Sequence, residues 1–486
     1  MRLWGIVASA VALGGVSQGA GYGGMYTLFS RRPREEPSGA AMPRPRDWRT
    51  STGAEEVARK YLVGGWAAPR NSDALPSFLR HIRRDVLALP RSTLQRFDDA
   101  AGANFTGDAE FARAAQALAR PRGAAQIDVV SFGGSVTVGH GTGRRASQFL
   151  PYIQLLAAAL RAIGHERMRT FNFGVPAAGS AIPSVCFASQ LLRAGADPKL
   201  IILEFSINGQ ERLSDLVDGL RDLYPAALIL YVDTFSQHEP PEAWAAASAQ
   251  LGDFMRLRQV PLVTLRVFSN ATKVDGLNLF DKDLHHLNVR GHALVTYAVL
   301  GLIQRLAGQP GARTAAAPRP AAPRASAKRL CLTTDAALSP ALLAPRGGSW
   351  RLERVHDDAK KIVWAVGENH SRAAGRATFD FTLDAESSDV FVVTMRSGGV
   401  PRYGVADVML DGAHAARIDG GDLGAPYHIL KVEAVATSVS RGRHALTMAV
   451  SNDTTTGGHA FAVYGILADP SGRTTRRNRD EARTQI

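Results

Sequence analysis

Val129-Val130-Ser131-Phe132-Gly133-Gly134-Ser135-Val136-Thr137-Val138-Gly139-His140-Gly141 is an apolar run with β-branched residues that stops at two glycines, offers a serine and continues into more glycine. The run reads as a buried strand, Ile127–Phe132, and glycine, which has no Cβ, lets the backbone turn sharply behind it. Such a turn leaves the Ser135 hydroxyl at the end of a sheet, where a rigid scaffold can present a functional group. The spacing is not that of a G-x-S-x-G elbow, because Thr137 stands at the final glycine position. Gly139-His140-Gly141-Thr142-Gly143 lacks the Gly-Lys-Ser/Thr of a phosphate loop and the GxGxxG spacing of a dinucleotide site.

Working outward, further strands are expected at Arg169–Phe173, Leu200–Phe205, Ala227–Val232 and Pro261–Leu265. Phe149, Leu150, Ile153, Leu156, Leu160 and Ile163 form a helical face, with Pro151 allowed in its first turn. Arg212–Leu223 and His292–Leu306 are further helices. Strands alternating with helices imply an α/β domain over 125–308, with a parallel sheet covered on both faces. Ligands of such sheets bind beyond the carboxyl ends of the strands. Ser135, Asn208 and Asp233 each lie just past an expected strand end.

A serine nucleophile needs a base, a group that orients the base, and donors for the oxyanion. Asp283-Leu284-His285-His286-Leu287-Asn288 places an Asp and a His three apart on a turn before the last helix. Asp283 can hold the His286 ring while Nε2 faces Ser135. Asn208, in Leu203-Glu204-Phe205-Ser206-Ile207-Asn208-Gly209, offers a side-chain amide. Asn172-Phe173-Gly174-Val175-Pro176-Ala177-Ala178-Gly179-Ser180 ends another strand and offers backbone N–H groups. His285, His286 and His292 match no familiar metal-ligand spacing.

In these blocks the chain resembles the SGNH/GDSL hydrolase family over roughly residues 125–307. Gly133-Gly134-Ser135-Val136-Thr137 resembles the first block, Asn172 to Gly179 the second, Asn208 the third, and Asp283-x-x-His286 the fifth. The resemblance implies a flavodoxin-like three-layer α/β/α domain, no metal or cofactor, and esterase or acyl-transfer chemistry. It implies Ser135, His286 and Asp283 as the catalytic residues and an oxyanion hole of Ser135, Asn208 and an N–H from Ala177 or Gly179. The chain departs from the family in several places. It has Gly-Ser-Val for Asp-Ser-Leu, Ala177 where the oxyanion glycine is usual, Ser206 and Gly209 for Gly and Asp, and Leu287 for proline.

The flanks carry other signals. The formal charge is +13, much of it in arginine-rich stretches near 31–49, 313–329 and 473–483. No basic helix with interleaved aromatics appears, which argues against nucleic acid as a partner and for a solvated basic surface. Residues 1–24 have the layout of a secretory signal: Arg2, an apolar run from Leu3 to Val16, then small residues. Continued to Phe29 before Arg31-Arg32, the same stretch would be an uncleaved anchor, the sole membrane association expected. Either route leads into the secretory pathway, to a secreted or ER/Golgi-luminal protein. Asn-X-Ser/Thr sequons at Asn104, Asn270, Asn369 and Asn452 fit that route as glycosylation candidates. The two cysteines, Cys186 and Cys331, either form one disulfide or remain two thiols.

Residues 25–54 read as a flexible stalk and 55–124 as a helical extension, with Leu75, Phe78, Leu79, Ile82, Val86 and Leu89 on one buried face. Residues 309–330 are a Pro/Ala/Arg linker and 471–486 a basic disordered tail. Between them, 331–470 reads as an all-β sandwich or jelly roll. Its short segments are Ala373–Leu383, Val390–Thr394, Ala406–Leu410, His428–Val435, His444–Val450 and Phe461–Leu467. Tyr403, Trp350 and Trp364 are either core residues or a sugar platform. The expectation is a serine esterase removing small O-acyl groups, acetyl foremost, from a glycan or another small ester. A polysaccharide O-acetyltransferase and a non-catalytic glycan-binding protein are the alternatives.

Overall fold

A computed structural model describes residues 52–67, 74–87, 109–120, 125–143, 149–238, 241–266, 278–309, 329–334, 343–355, 362–367, 375–397, 403–421, 428–451, 454 and 456–470. The N-terminal signal or anchor, most of the stalk, the four sequon asparagines and the basic tail lie outside these residues. Among the described residues no helix is long and apolar enough to cross a membrane.

Five strands form a parallel sheet: β1 (Ile127–Gly133), β2 (Met168–Asn172), β3 (Pro198–Glu204), β4 (Leu228–Asp233) and β5 (Leu262–Thr264). Their order is β2-β1-β3-β4-β5. Val129, Leu200, Ile202, Leu228 and Leu230 face one helical layer, while Val130, Phe132, Ile201, Leu203 and Ile229 face the other. Burial on both faces is why these strands read as unbroken apolar runs. The strand order reverses around β1, so its carboxyl end is the switch point where a doubly wound sheet opens a crevice.

The helices are α1 (Thr52–Val63), α2 (Ala74–His81), α3 (Ala109–Ala119), α4 (Ser135–Val138), α5 (Tyr152–Ala162), α6 (Ala181–Ala194), α7 (Leu213–Leu223), α8 (Pro241–Leu257) and α9 (Val289–Ala307). Helices α1, α2, α3, α5 and α9 share one core with the sheet; α6, α7 and α8 share the other. Leu75, Phe78, Leu79 and Ile82 are buried in the first of these cores, the face their spacing selects. Leu89 lies outside the described residues.

Two boundaries move. Helix α1 starts at Thr52, inside the stretch read as stalk, because the first turn of a helix needs no intrahelical acceptors and tolerates Gly53. The stretch read as linker already holds structure at its end: Arg329 donates from Nε to Asp469 at 2.8 Å, and Leu330 opens a strand.

That strand is β6 (Leu330–Thr333). It is followed by β7 (Pro345–Arg346), β8 (Arg351–Arg354), β9 (Ile362–Val366), β10 (Arg376–Arg396), β11 (Val405–Leu410), β12 (Ala413–Asp419), β13 (Ile429–Val450) and β14 (Phe461–Pro470). The antiparallel order is β12-β11-β13-β10-β14-β9-β8, with β6 on β14 and β7 on β10. Segments that read as separate short strands are halves of β10 and of β13. The two long strands pair along their length through register shifts near Leu383/Ser387 and Ser388/Val390. Bulges there supply the bend that a turn would otherwise make. Phe379 and Phe381 from one half of β10 and Val390 and Val392 from the other line one core, so the bent, open sheet packs one half against the other in the manner of a sandwich.

β14 is buried from Phe461 through Asp469. Phe461, Val463, Ile466 and Ala468 face the sandwich core, and Ala462, Tyr464 and Leu467 face the core of α6 and α7. The all-β domain therefore completes a hydrophobic core of the α/β domain. Two further ties cross the junction. Cys186 on α6 and Cys331 on β6 form a disulfide. Asp469, 1% exposed, pairs with both Arg212 and Arg329.

The disulfide closes a sequence separation of 145 residues. Replacing both cysteines with serine is expected to lower unfolding free energy by up to about 4–5 kcal/mol through the loop-closure entropy restored to the unfolded chain. Chemical denaturation measures this; an unchanged midpoint would mean that the shared core alone holds the junction.

Candidate active site

Ser135 is the first residue of α4, directly after β1, and is 5% exposed. Heading a helix, its N–H has no intrahelical acceptor. Gly134 donates to the Glu204 carbonyl at 3.2 Å. A Cβ on Gly134 would stand 1.7 Å from Asn208 Nδ2, so glycine there is what lets that amide approach the serine. Asn208 Nδ2 is buried and has no acceptor among the described residues.

His286 comes from the turn before α9. Asp283 Oδ1 accepts the His285 and His286 backbone N–H groups, each at 3.0 Å. Its Oδ2 lies 2.6 Å from His286 Nδ1, and His286 Nε2 lies 2.9 Å from Ser135 Oγ. With the Nδ1 proton donated to Asp283, Nε2 is the acceptor for the serine hydroxyl. Gly141 (φ +87°) permits this apposition, since a Cβ there would fall 2.5 Å from the Leu287 carbonyl oxygen.

The second-block loop lies across the crevice. Asn172 Oδ1 accepts from the Gly174 N–H at 2.9 Å, and Asn172 Nδ2 donates to the Thr137 carbonyl at 2.7 Å, tying this loop to α4. Ala177 has φ +57°. Ala177 and Gly179 line a cleft of about 790 Å³ with Ser135, Asn208 and His286. Its opposite wall comes from the all-β domain: Arg396, His428, Leu430, Lys431 and Glu433. Arg396 pairs with Glu433 at 2.5 Å, and Lys431 with Glu211 at 3.4 Å.

No family model matches the chain, and no curated protein matches it. Solved structures do. A two-domain esterase active on acetylated mannans aligns with TM-score 0.54 at 17% identity, over 76% of this chain and 98% of that one. A two-domain esterase of the same description, co-crystallized with mannopentaose, gives TM-score 0.51 at 17% identity, over 74% and 93%. The chain has the SGNH hydrolase fold. Within this fold Ser135, Ala177, Gly179, Asn208, Asp283 and His286, drawn from four separate stretches of the chain, line one cleft.

Not every singled-out residue comes to this cleft. Asp233 is fully buried, paired with Arg266 at 2.9 Å and bonded by Thr264. His292 sits inside α9, where Nδ1 accepts the Tyr152 N–H at 3.2 Å. His285 stands edge-on to the His286 ring, 4.8 Å between centroids, with Nδ1 2.9 Å from Ser236 Oγ. Trp350 packs against Phe379 and Phe461, Tyr403 against His428, and Trp364 donates to the Leu343 carbonyl. These three aromatics serve the core and lie outside the cleft lining.

Sequence reasoning missed the floor of the site. Glu204, fully buried at the end of β3, accepts from Thr137 Oγ1 at 3.1 Å and Thr234 Oγ1 at 2.8 Å. Burial pushes its carboxyl pKa up, against these hydrogen bonds. The signal was present as a lone carboxylate closing an apolar strand. His140, whose ring is 5.2 Å from that of His286, and the β13 wall carried no local signal.

Burial alone would raise the Asp283 carboxyl. The hydrogen bonds from the His286 ring and from the His286 and His285 N–H groups outweigh it and hold Asp283 well below the usual carboxylate range. Burial and then the neighbouring His286 lower His285 to about 4. Burial lowers His292 to about 3.

The unfolded chain therefore binds a proton at position 292 in a window, from about 6.5 down to about 3, where the folded chain does not. Stability is expected to fall as pH drops through that window, by about 1.4 kcal/mol per pH unit from this group. His292→Asn keeps an acceptor for the Tyr152 N–H and should lose less stability between about pH 7 and about pH 5 than the unaltered chain. Equal losses in denaturation would exclude His292 as a source.

Proposed function

We propose that this chain is a serine esterase that removes small O-acyl groups, acetyl foremost, from a glycan. The observation that carries this reading is the line Asp283 Oδ2, His286 Nδ1, His286 Nε2, Ser135 Oγ, with contacts of 2.6 and 2.9 Å, in a cleft that it shares with the Asn208 amide, whose Nδ2 has no acceptor among the described residues. Ser135 Oγ attacks the ester carbonyl carbon while His286 Nε2 takes the serine proton. The carbonyl electron pair moves to oxygen, which is held by the Ser135 N–H, the Asn208 amide and the Ala177 N–H. Collapse breaks the bond to the sugar oxygen, and His286 returns the proton to it. Water, deprotonated by His286, then releases the acid and regenerates Ser135. Asp283 keeps the imidazole in the required tautomer and stabilises its protonated form.

The cleft supports a neutral, hydroxyl-rich substrate. Apart from Asp283, which is held by His286, its Asp, Glu, Lys and Arg side chains stand as the pairs Arg396–Glu433 and Lys431–Glu211, which offer donors and acceptors with little net charge. The described lining contains no Trp, Tyr or Phe, so recognition rests on hydrogen bonds and shape. The likeness to a two-domain esterase active on acetylated mannans supports the same substrate class. The Cys186–Cys331 disulfide supports an oxidising compartment and hence a secreted or luminal location.

Hydrolysis of p-nitrophenyl acetate and of an acetylated glucomannan by the full chain tests the reading. Ser135→Ala is expected to reduce kcat by at least about 10³-fold, with the melting temperature retained. Turnover that survives in Ser135→Ala would end the serine mechanism. Gly134→Ala should cost about 10²–10³-fold in kcat, because its methyl group displaces the Asn208 amide. A rate within a factor of about two would remove Asn208 from the oxyanion hole.

A further inference from the structure

Ala177 carries a backbone conformation that alanine disfavours: φ +57° is the left-handed region, where a Cβ crowds the following carbonyl. Such strain persists only where surrounding structure over-determines it, and it clusters at functional sites. Within its own loop Ala177 is held from the C-terminal side. The Ala178 N–H donates to the Val175 carbonyl at 3.1 Å, and the Ser180 N–H to the Gly209 carbonyl at 3.1 Å. On the N-terminal side the Val175 N–H donates to the Gly133 carbonyl at 2.9 Å, and a further restraint comes from the other domain. The Leu430 N–H donates to the Ala177 carbonyl at 2.9 Å, and Ala178 bridges Leu430 as a parallel partner. Leu430 itself is fixed, 5% exposed in the core shared by the two domains and paired with Met395 on β10. No described residue accepts from the Ala177 N–H, which leaves that donor for the cleft.

We propose that Leu430 is a positioning residue for catalysis: its backbone N–H, delivered by β13 of the all-β domain, holds Ala177 left-handed and so aims the Ala177 N–H at the oxyanion. The inference rests on the serine-esterase reading above. The appended domain is then a working part of the oxyanion hole as well as a wall of the cleft. A glycine at position 177 would adopt the same conformation without strain and would need no such clamp.

Replacing the Leu430 amide by an ester, through ribosomal incorporation of the leucine α-hydroxy acid, deletes the donor and keeps the side chain in the core. In the Ala177 chain this change is expected to lower kcat for p-nitrophenyl acetate about 10- to 100-fold with KM little changed. In the Ala177→Gly background the same ester should cost less than about threefold, because glycine enters the left-handed region without the Cβ penalty that the clamp offsets. Equal costs in the two backgrounds, no cost in either, or a loss confined to KM would overturn the proposal.

Should the ester variant fail to fold, amide exchange at Leu430 reads the same link in the unaltered chain. Phenylboronic acid adds to a serine hydroxyl and presents a charged oxygen. Its binding is expected to slow Leu430 exchange several-fold in the Ala177 chain and to a smaller extent in Ala177→Gly. Slowing that is equal in both chains, or absent, rejects the clamp. Failure of the underlying reading looks different: turnover and boronate binding would be indifferent to Ser135→Ala before any change at Leu430.

Discussion

Burial of β14 on both faces is the constraint on which the rest of this structure depends. One face completes the sandwich core through Phe461, Val463 and Ile466; the other completes the α/β core through Ala462, Tyr464 and Leu467. Removing apolar area from water contributes about 25 cal/mol per Å², so neither domain can withdraw without exposing much of its own interior. The Cys186–Cys331 crosslink and the Asp469 pairs with Arg212 and Arg329 lie on the same seam. A buried ion pair is weak evidence for net stability, but removal of Asp469 would strip the buried Arg329 guanidinium of its carboxylate, while Arg212 would keep Asp215 at 2.9 Å.

The cleft inherits its rigidity from this seam. On one side, β1 ends at the topological switch point and drops Ser135 into the crevice that the strand order opens. On the other, β13 runs past the second-block loop and reaches the Ala177 carbonyl with its own backbone. A hydrogen bond from a strand in a buried core is a more exact restraint than a loop can give itself, because the strand loses no further conformational freedom in making it.

The polar interior shows a second kind of constraint. Asn208 holds a buried amide nitrogen with no acceptor among the described residues, an arrangement that costs about 1–3 kcal/mol in a resting protein. In the proposed mechanism that donor is idle until charge develops on the substrate, and the stability forgone is returned at the transition state. Glu204 is treated differently. Thr137 and Thr234 satisfy it on both oxygens, and it serves as a fully bonded floor beneath the Gly133-Gly134 turn.

The sequence by itself determined the elements whose cause is local. Apolar runs of strand length marked β1, β3 and β4, and three- and four-residue spacing marked the buried face of α2, because period and burial are written in neighbouring residues. Asp283-x-x-His286 was legible for the same reason, since a turn brings residues three apart together. The chain did not disclose that β10 and β13 run unbroken through their bulges, because continuity there depends on a partner strand rather than on either segment. The resemblance implied that His286 serves Ser135, but only the tertiary structure decided that the two meet at 2.9 Å, that Glu204 lies beneath the Gly133-Gly134 turn, that Asp233 instead pairs with Arg266, and that Leu430 reaches Ala177. Each of those contacts is set by how whole layers pack, a sum of many weak burial terms from distant parts of the chain that no short window of sequence contains.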